Sequence, residues 1–301
     1  MKFKGTNALY KIKRIIPKLI LYFLLIDGAF IFLYPIGRTV VISLMTIEDY
    51  MDPSVNWIPN RLNFRNYIDV LKPMDFFNAL SNSVKLTVFC ILGQVLSSSL
   101  VGYGLARGRI PGKEVIMMII LATLVIPPQT LLIPYYILYH RLNLLDSLNV
   151  FIIPSFFGFG IYAPLCIFVF RQVFNTLPAE LEDAAIIDGA DFFRCFWYVY
   201  LPLARSAFVT VALFTFVWYW NEYARGIIFF NNIRTIPIAL SLLFSADPAF
   251  VGTGFGGMNI SLVTYPMMMA AVMLTMLPCL VLYLFTQRYY LTAIEQVGIK
   301  G

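Results

Sequence analysis

Six long apolar runs constrain the fold of this chain more than any other feature of its sequence. Each run is close to or longer than the roughly 20 residues that a tilted helix needs to cross a bilayer. Only 13% of the residues are charged, against about a quarter in an average soluble domain. We therefore predict an all-α integral membrane protein with six transmembrane helices, at about 19–44, 84–106, 115–137, 148–170, 206–230 and 265–285.

The charges near the N-terminus predict the orientation in the membrane. The first 18 residues contain six basic side chains and no acidic one, which favours a cytoplasmic N-terminus. An even number of crossings returns the C-terminus to the same side. No small-residue cleavage site closes the first apolar run, so we interpret it as a retained span and not as a signal peptide. The predicted organisation is a basic N-terminus (1–18), a first helix with its outer loop (19–83), a five-helix core (84–288) and a C-terminal tail (289–301).

Several classes of function find no support in the residues. The basic residues do not alternate with aromatic ones as in nucleic-acid-binding segments. Cys90, Cys166, Cys195 and Cys279 are far apart, and His140 is the only histidine, so neither a disulfide framework nor a metal site is predicted. No GxxxxGK[ST] sequence occurs, which argues against ATP hydrolysis by this chain. We predict no catalytic residues, no metal and no cofactor in the chain itself.

One segment, 177–202, stands out as a polar island with the sequence LPAELEDAAIIDGADFFRCFWYVYLP. It holds five of the chain's 16 carboxylates within twelve residues, and such a concentration of charge does not lie in lipid. The predicted topology places it in the cytoplasm. A folded polar segment between two membrane spans suggests a docking surface.

Local signals predict a helix, a turn and a second helix in this segment. Glu180, Glu182 and Asp183 follow Pro178 in a first helical turn, where the helix dipole favours acidic side chains. Gly189 can adopt the left-handed conformation that ends a helix. Asp191 is a suitable N-cap for a second short helix through Val199, after which Leu201-Pro202 turn the chain into the fifth span.

The segment resembles the cytoplasmic EAA loop of permease subunits of ATP-binding cassette (ABC) importers, E-A-A-x3-G-x9-I-x-L-P. Asp183-Ala184-Ala185 stand at E-A-A, Gly189 at the glycine, Val199 at the isoleucine and Leu201-Pro202 at L-P. Aspartate for glutamate and valine for isoleucine are conservative departures. The resemblance implies that this loop docks on an ATPase subunit, through Glu182, Asp183, Ala184, Ala185, Asp188, Gly189, Ala190, Leu201 and Pro202.

Further short signatures along the chain are similar to those of binding-protein-dependent sugar permeases of the maltose-transporter type. They include Asn66-Tyr67, Gly102–Arg107, Pro111-Gly112-Lys113, Phe170-Arg171-Gln172 and Trp220-Asn221-Glu222. The resemblance implies the type I ABC importer permease fold with a cytoplasmic coupling helix, in a bacterial-type cell membrane. It also implies four partners besides the lipid bilayer: ATPase subunits that bind ATP and Mg²⁺, a second homologous permease subunit, an extracytoplasmic solute-binding protein and a sugar substrate.

Two intramembrane features bear on the transport path. Pro127-Pro128 interrupts the third apolar run and predicts a kink or a discontinuous helix. Polar or amphipathic groups deep in the fifth run, Tyr219, Trp220 and Asn221, are candidates for sugar contact. The alternative is interhelical hydrogen bonding, with Glu222 paired locally to Arg225.

Three other functions compete with a sugar permease. An ABC permease for a non-sugar solute would share every motif above. An ion-coupled secondary transporter would need coupling sites at mid-membrane and commonly has inverted repeats, of which the sequence shows no sign. A membrane-embedded enzyme would need a nucleophile paired with a base, and the sequence offers no such pair.

Overall fold

The computed structural model describes residues 6–245 and 263–298 and is helical throughout its regular elements. By length and apolar composition, three of the described helices could cross a membrane, or up to five if each of two bent helix pairs counts as one span. All six predicted apolar runs contain helix. The chain divides into two compact units, which are described separately below.

The first unit contains the residues up to Pro73 and the start of the last helix, through Leu274. A single long helix, α1 (Thr6–Ser43), carries the first apolar run. Its side chains between Ile15 and Tyr34 are almost all exposed, as expected of a helix that faces lipid or another protein. Two short helices follow, α2 (Ile47–Met51) and α3 (Arg65–Asp69).

Side-chain amides and carboxylates order the segment that follows α1. Asn66 is buried and donates to the carbonyls of Ser43 and Met45, at 2.8 and 2.9 Å. The Asp49 carboxylate accepts both the backbone and the side-chain N–H of Asn60. These bonds satisfy main-chain groups that no regular element pairs, so this predicted loop is a folded cap.

The second unit contains Met74–Ser245 and the last helix from Thr275 onward. Its helices are α4 (Phe76–Arg107), α5 (Lys113–Ala122), α6 (Leu132–Arg141), α7 (Asn149–Phe156), α8 (Ala163–Thr176), α9 (Glu180–Ile187), α10 (Phe192–Cys195), α11 (Leu201–Leu203), α12 (Arg205–Trp220), α13 (Gly226–Phe229) and α14 (Ile236–Ser245). The last helix of the chain, α15 (Tyr265–Gly298), begins in the first unit and continues into this one.

Helix α4 lies at the centre of the second unit and packs against α7, α8 and α12. Small residues on α4 permit this close packing, as at many helix crossings in membranes. A Cβ atom at Gly102 would lie 2.7 Å from the Cβ of Phe170 and 3.0 Å from the backbone nitrogen of Arg171. The glycine of the Gly102–Arg107 signature is thus explained by the approach of α8.

The third apolar run is discontinuous, as Pro127-Pro128 predicted. Helix α5 gives way to two 3₁₀ turns, Thr123–Val125 and Pro128–Leu131, before α6 begins. The chain bends by 91° at this break. Proline causes the break because it lacks the N–H that a continuing helix would need.

The fourth apolar run differs from the prediction of one helix over 148–170. The structure has α7 and α8, separated by residues 157–162 without helix. Gly158 and Tyr162 both have positive φ angles, of 75° and 52°, which a continuous helix does not permit. The glycines of the FGFG sequence were the signal for this break, and the length of the apolar run concealed it.

The fifth apolar run is also shorter than predicted. Helix α12 ends at Trp220 and not at Phe230, and the chain turns at residues 221–225 before the four-residue α13. Glu222 and Arg225 form an ion pair across this turn at 2.9 Å. Helix α14 lies between the fifth and sixth predicted spans, in a segment of which residues 246–262 are outside the described part of the chain.

Candidate functional site

The acidic segment folds as a hairpin of two helical arms, here called the acidic hairpin (residues 177–204). Helix α9 forms the first arm and ends at Ile187, two residues before Gly189, whose φ is 84°. The Asp191 carboxylate accepts the backbone N–H of Arg194 at 2.7 Å and caps α10. The second arm continues through a π-helical turn, Phe196–Tyr200, into α11. The predicted helix, turn, N-cap and second helix are confirmed.

The second arm meets α12 at an angle of 80°, with the bend at Ala204. Ala204 is fully buried, so the bend is packed against the core and is not a free joint. The hairpin therefore projects sideways from the N-terminal end of α12.

The residues predicted for docking divide between two faces of the hairpin. Asp183, Ala184, Asp188, Gly189 and Pro202 are exposed, whereas Glu182, Ala185, Ala190 and Leu201 are partly buried. The partly buried alanines and Leu201 pack against an aromatic core cluster. Only the first group is positioned to meet another protein without rearrangement of the hairpin.

Two exposed isoleucines accompany the exposed acidic residues. Ile187 has 85% of its surface exposed and Ile186 has 53%. Exposed isoleucines beside charged groups are typical of a protein contact surface. Neither isoleucine is among the residues predicted for docking, although a pair of β-branched apolar residues at the end of a polar helix is a signal for such a surface.

Glu182 is used inside the hairpin. Its Oε2 accepts the hydroxyl of Tyr200 at 2.7 Å, which ties the first arm to the second. Tyr200 is fully buried, so this contact fixes the distance between the arms from the inside.

An aromatic cluster attaches the hairpin to the end of α4. Tyr103 on α4 contacts the rings of Phe192, Phe196 and Tyr200, at centroid distances of 4.5, 5.3 and 5.0 Å. The Tyr103 hydroxyl also donates to the backbone carbonyl of Phe192 at 3.3 Å. The second arm is consequently held to α4 by both ring packing and a hydrogen bond.

Arg107, four residues further along α4, holds the first arm. Its guanidinium donates to the carbonyl of Phe174 at 2.8 Å and to that of Leu177, which are free carbonyls at the end of α8. It also lies 5.1 Å from the centre of the Tyr200 ring. An arginine can serve all three groups because its donors form a rigid planar fork.

The three residues predicted for sugar contact point to different places. Tyr219 is buried, and its hydroxyl accepts the backbone N–H of Ile161 at 3.0 Å. Trp220 donates to the carbonyl of Thr275 at 3.4 Å. Asn221 is exposed and donates to the carbonyl of Val217 at 2.7 Å. Of these three residues, Tyr219 lines a cavity formed by described residues.

That cavity has a volume of about 490 Å³ and lies within the second unit. The breaks in the third and fourth apolar runs both contribute to its wall, with Thr123, Ile126 and Pro128 from one and residues 157–162 from the other. Here it is called the break cavity. Irregular backbone at membrane depth is tolerated where it is buried or lines a cavity.

Comparison with known proteins identifies the family. Residues 98–294 match the model of the "binding-protein-dependent transport system inner membrane component" family. The chain belongs to this family of membrane permease components. It is a multi-pass membrane protein with the type I ABC permease fold.

Curated relatives cover most of the chain. The arabinooligosaccharides transport system permease protein AraQ of Halalkalibacterium halodurans is 28% identical over 91% of this chain and 93% of its own length. The melibiose/raffinose/stachyose import permease protein MelC of Bacillus subtilis is 28% identical over 86% of this chain and 88% of its own. The lactose transport system permease protein LacG of Rhizobium radiobacter is 29% identical over 93% and 95%.

A solved structure supports the fold along nearly the whole chain. It is the crystal structure of a bacterial ABC transporter involved in the import of the acidic polysaccharide alginate. The similarity has a TM-score of 0.75 and covers 96% of this chain and 99% of the other, at 23% identity.

Proposed function

We propose that this chain is a permease subunit of an ABC importer for a carbohydrate, and that ATP hydrolysis by a separate ATPase subunit drives its change of conformation. The chain itself makes and breaks no covalent bond. Membership of the permease family, with relatives named as carrying oligosaccharides of several kinds, supports the substrate class.

The observation that carries the coupling role is the construction of the acidic hairpin. Its exposed face bears Asp183, Asp188 and Ile187, while its other face is fixed to α4 and α8. A surface that transmits force must present contacts to its partner and resist displacement relative to the spans. The hairpin meets both requirements.

The proposed partners follow from this arrangement. ATPase subunits, which carry ATP and Mg²⁺, seat against the hairpin on the cytoplasmic side, where both chain termini also lie. A second homologous permease subunit covers the remaining faces of the spans, and a solute-binding protein delivers the sugar from outside. ATP-driven closure of the ATPases shifts the population between two arrangements of the spans.

Ile187→Asp tests the docking role with little risk to folding, since the side chain is almost fully exposed. We expect the variant to insert and to assemble with the second permease, but to lose at least tenfold of the ATPase subunit that co-purifies with it. Ile58→Asp is the matched control, because Ile58 is 83% exposed in the first unit. It should retain the ATPase.

A paired substitution at the turn gives an independent measurement. Gly189→Pro cannot adopt the observed φ of 84°, whereas Gly189→Asn tolerates it. Stimulation of ATP hydrolysis by loaded binding protein should be lost in the first variant and retained in the second. Equal stimulation in both would contradict the coupling role of the hairpin.

A further inference from the structure

The geometry of the break cavity points to a saccharide subsite within this subunit, and we propose that it binds one unit of a neutral sugar. This inference rests on the proposed function as a carbohydrate permease. It adds the place of binding and the charge class of the ligand. A volume of about 490 Å³ lies within the usual range of small-molecule sites.

Aromatic rings form one continuous wall of the cavity. The rings of Tyr135 and Tyr139 stack at 5.8 Å, Tyr139 meets Phe229 edge-on at 5.3 Å, and Phe229 contacts Phe151 at 5.9 Å. Tyr219 continues the wall at 6.3 Å from Phe151. Flat rings with hydroxyl groups at their edges suit a pyranose, whose C–H face is apolar and whose rim is polar.

The non-helical segment between α7 and α8 also contributes to the wall. The whole segment 157–164 lines the cavity. Gly160 has no room for a side chain, because a Cβ there would lie 1.8 Å from Oε1 of Gln94 and 2.8 Å from the Tyr219 hydroxyl. Interrupted helices place peptide groups beside a substrate at membrane depth, and here two interruptions meet at one cavity.

The break in the fourth run is held open by side chains from two other helices. Tyr219 on α12 accepts the N–H of Ile161, and Ser97 on α4 donates to the carbonyl of Ser155 at 2.7 Å. Gln94 donates to the carbonyl of Ile161 at 3.4 Å, and its buried Oε1 has no hydrogen-bond partner among the described residues. The site is thus built and not a gap between loosely packed helices.

The charge of the cavity selects a neutral ligand. Among the described residues that line it, Arg225 is the only charged one. Glu222 neutralises it through contacts to Nε and Nη2, at 3.1 and 2.9 Å. A guanidinium has five N–H donors, so Arg225 keeps donors for a sugar hydroxyl. A ligand carboxylate would lose water in this site and find no unpaired positive charge there, which costs free energy.

An acyl chain is the competing occupant of a cavity in a membrane protein. A hydrocarbon would leave without partners the Arg225 donors that Glu222 does not engage, which costs free energy in a dehydrated site. The polar groups therefore favour the saccharide.

The first experiment compares Tyr135→Ala with Tyr136→Ala in the complete transporter, reconstituted in liposomes with its ATPases and binding protein. Tyr135 lines the cavity, whereas Tyr136 is adjacent on α6 and does not. We expect Tyr135→Ala to lower about tenfold the number of maltotriose or raffinose molecules taken up per ATP hydrolysed. The reason is that the loss of a stacking ring weakens sugar binding in the cavity. Hydrolysis stimulated by the binding protein should persist. Tyr136→Ala should match the wild type in both.

The second experiment measures charge selectivity by direct binding to the purified permease–ATPase complex without the binding protein. Glu222→Gln releases Arg225 from its counter-charge while keeping an acceptor for the backbone. We expect the ratio of trigalacturonate to maltotriose binding to rise about tenfold. The assembled complex should elute normally in size exclusion, as a check on folding.

The outcomes separate the two levels of the proposal. Wild-type uptake of a neutral trisaccharide with unchanged sugar-to-ATP ratios in Tyr135→Ala would overturn the subsite and leave the permease function intact. No uptake of any saccharide by an ATPase-competent wild type would overturn both. A bound lipid that is lost in Tyr135→Ala would assign the cavity to an acyl chain and overturn the subsite.

Discussion

The hydrogen bond from Tyr200 to Glu182 makes the internal support of the acidic hairpin measurable. Tyr200→Phe removes the hydroxyl that donates to Oε2 of Glu182 at 2.7 Å and changes nothing else in the buried ring. A hydrogen bond to a charged group contributes about 1.5–3 kcal/mol. Glu182 is only partly buried, so water replaces part of the loss and we expect about 1.4 kcal/mol, which is a factor of ten.

Hydrogen exchange of the α9 backbone amides reports the free energy of local opening of the first arm. It is measured on the complex in lipid nanodiscs. Tyr200→Phe should accelerate exchange about tenfold, and Glu182→Ala should do so by at least as much. The double variant should exchange no faster than the faster single variant, because both substitutions remove the same bond. Tyr198→Phe is the control, since Tyr198 is 80% exposed two residues away. It should leave the rates unchanged.

Two results would refute this reasoning. One is that the accelerations of exchange in the two single variants multiply in the double variant, which would mean that Glu182 and Tyr200 act independently. The other is an equal acceleration in Tyr198→Phe, which would mean that loss of a hydroxyl anywhere on the second arm loosens the hairpin.

Two further predictions concern the packing and the loops of the second unit. Gly102→Ala should lower the thermal midpoint of the solubilised protein, because the new Cβ would lie 2.7 Å from Phe170. We expect a loss of about 1–3 kcal/mol in the free energy of unfolding. Gly104→Ala is the control, since a Cβ there would have nothing within 4 Å, and it should be neutral or stabilising. The pKa of Asp146 is lowered, chiefly by the backbone N–H of Asn232. The ionised carboxylate therefore contributes fully to stability above its pKa in the unfolded chain, about 4. This contribution is lost as the pH falls through the lower pKa of the folded protein. Asp146→Asn should therefore lower the thermal midpoint at neutral pH and flatten its acid dependence, whereas an unaltered acid slope would show that other carboxylates dominate.

The acidic hairpin could be predicted from the sequence because its signals are local. Gly189 ends one helix by its backbone conformation and Asp191 begins the next through a bond to a residue three positions away. Such signals need no knowledge of the rest of the fold. The division of its residues into an exposed and an inner face was not predictable. It depends on Tyr103 and Arg107, which lie more than 60 residues earlier.

The break in the fourth apolar run shows the opposite case. Hydropathy alone favours a continuous helix over 148–170. Within the run, Pro154 and Gly160 accept some of the N–H groups at the interruption. The remaining partners come from α4 and α12, through Gln94, Ser97 and Tyr219. These tertiary contacts cannot be inferred from the length of an apolar segment. The Pro127-Pro128 break was accessible because proline carries its cause within the sequence.

Helix α12 connects these two regions of the molecule. It begins at the bend beside the acidic hairpin and carries Tyr219 near its other end, where the tyrosine hydroxyl holds Ile161 of the break cavity. Its 16 residues span about 24 Å at 1.5 Å per residue. The hairpin is fastened to α4 and α8, and the break is fastened to α4 and α12. In the proposed transporter, a force on the hairpin therefore reaches the cavity wall through packed helices, without passing through a loop.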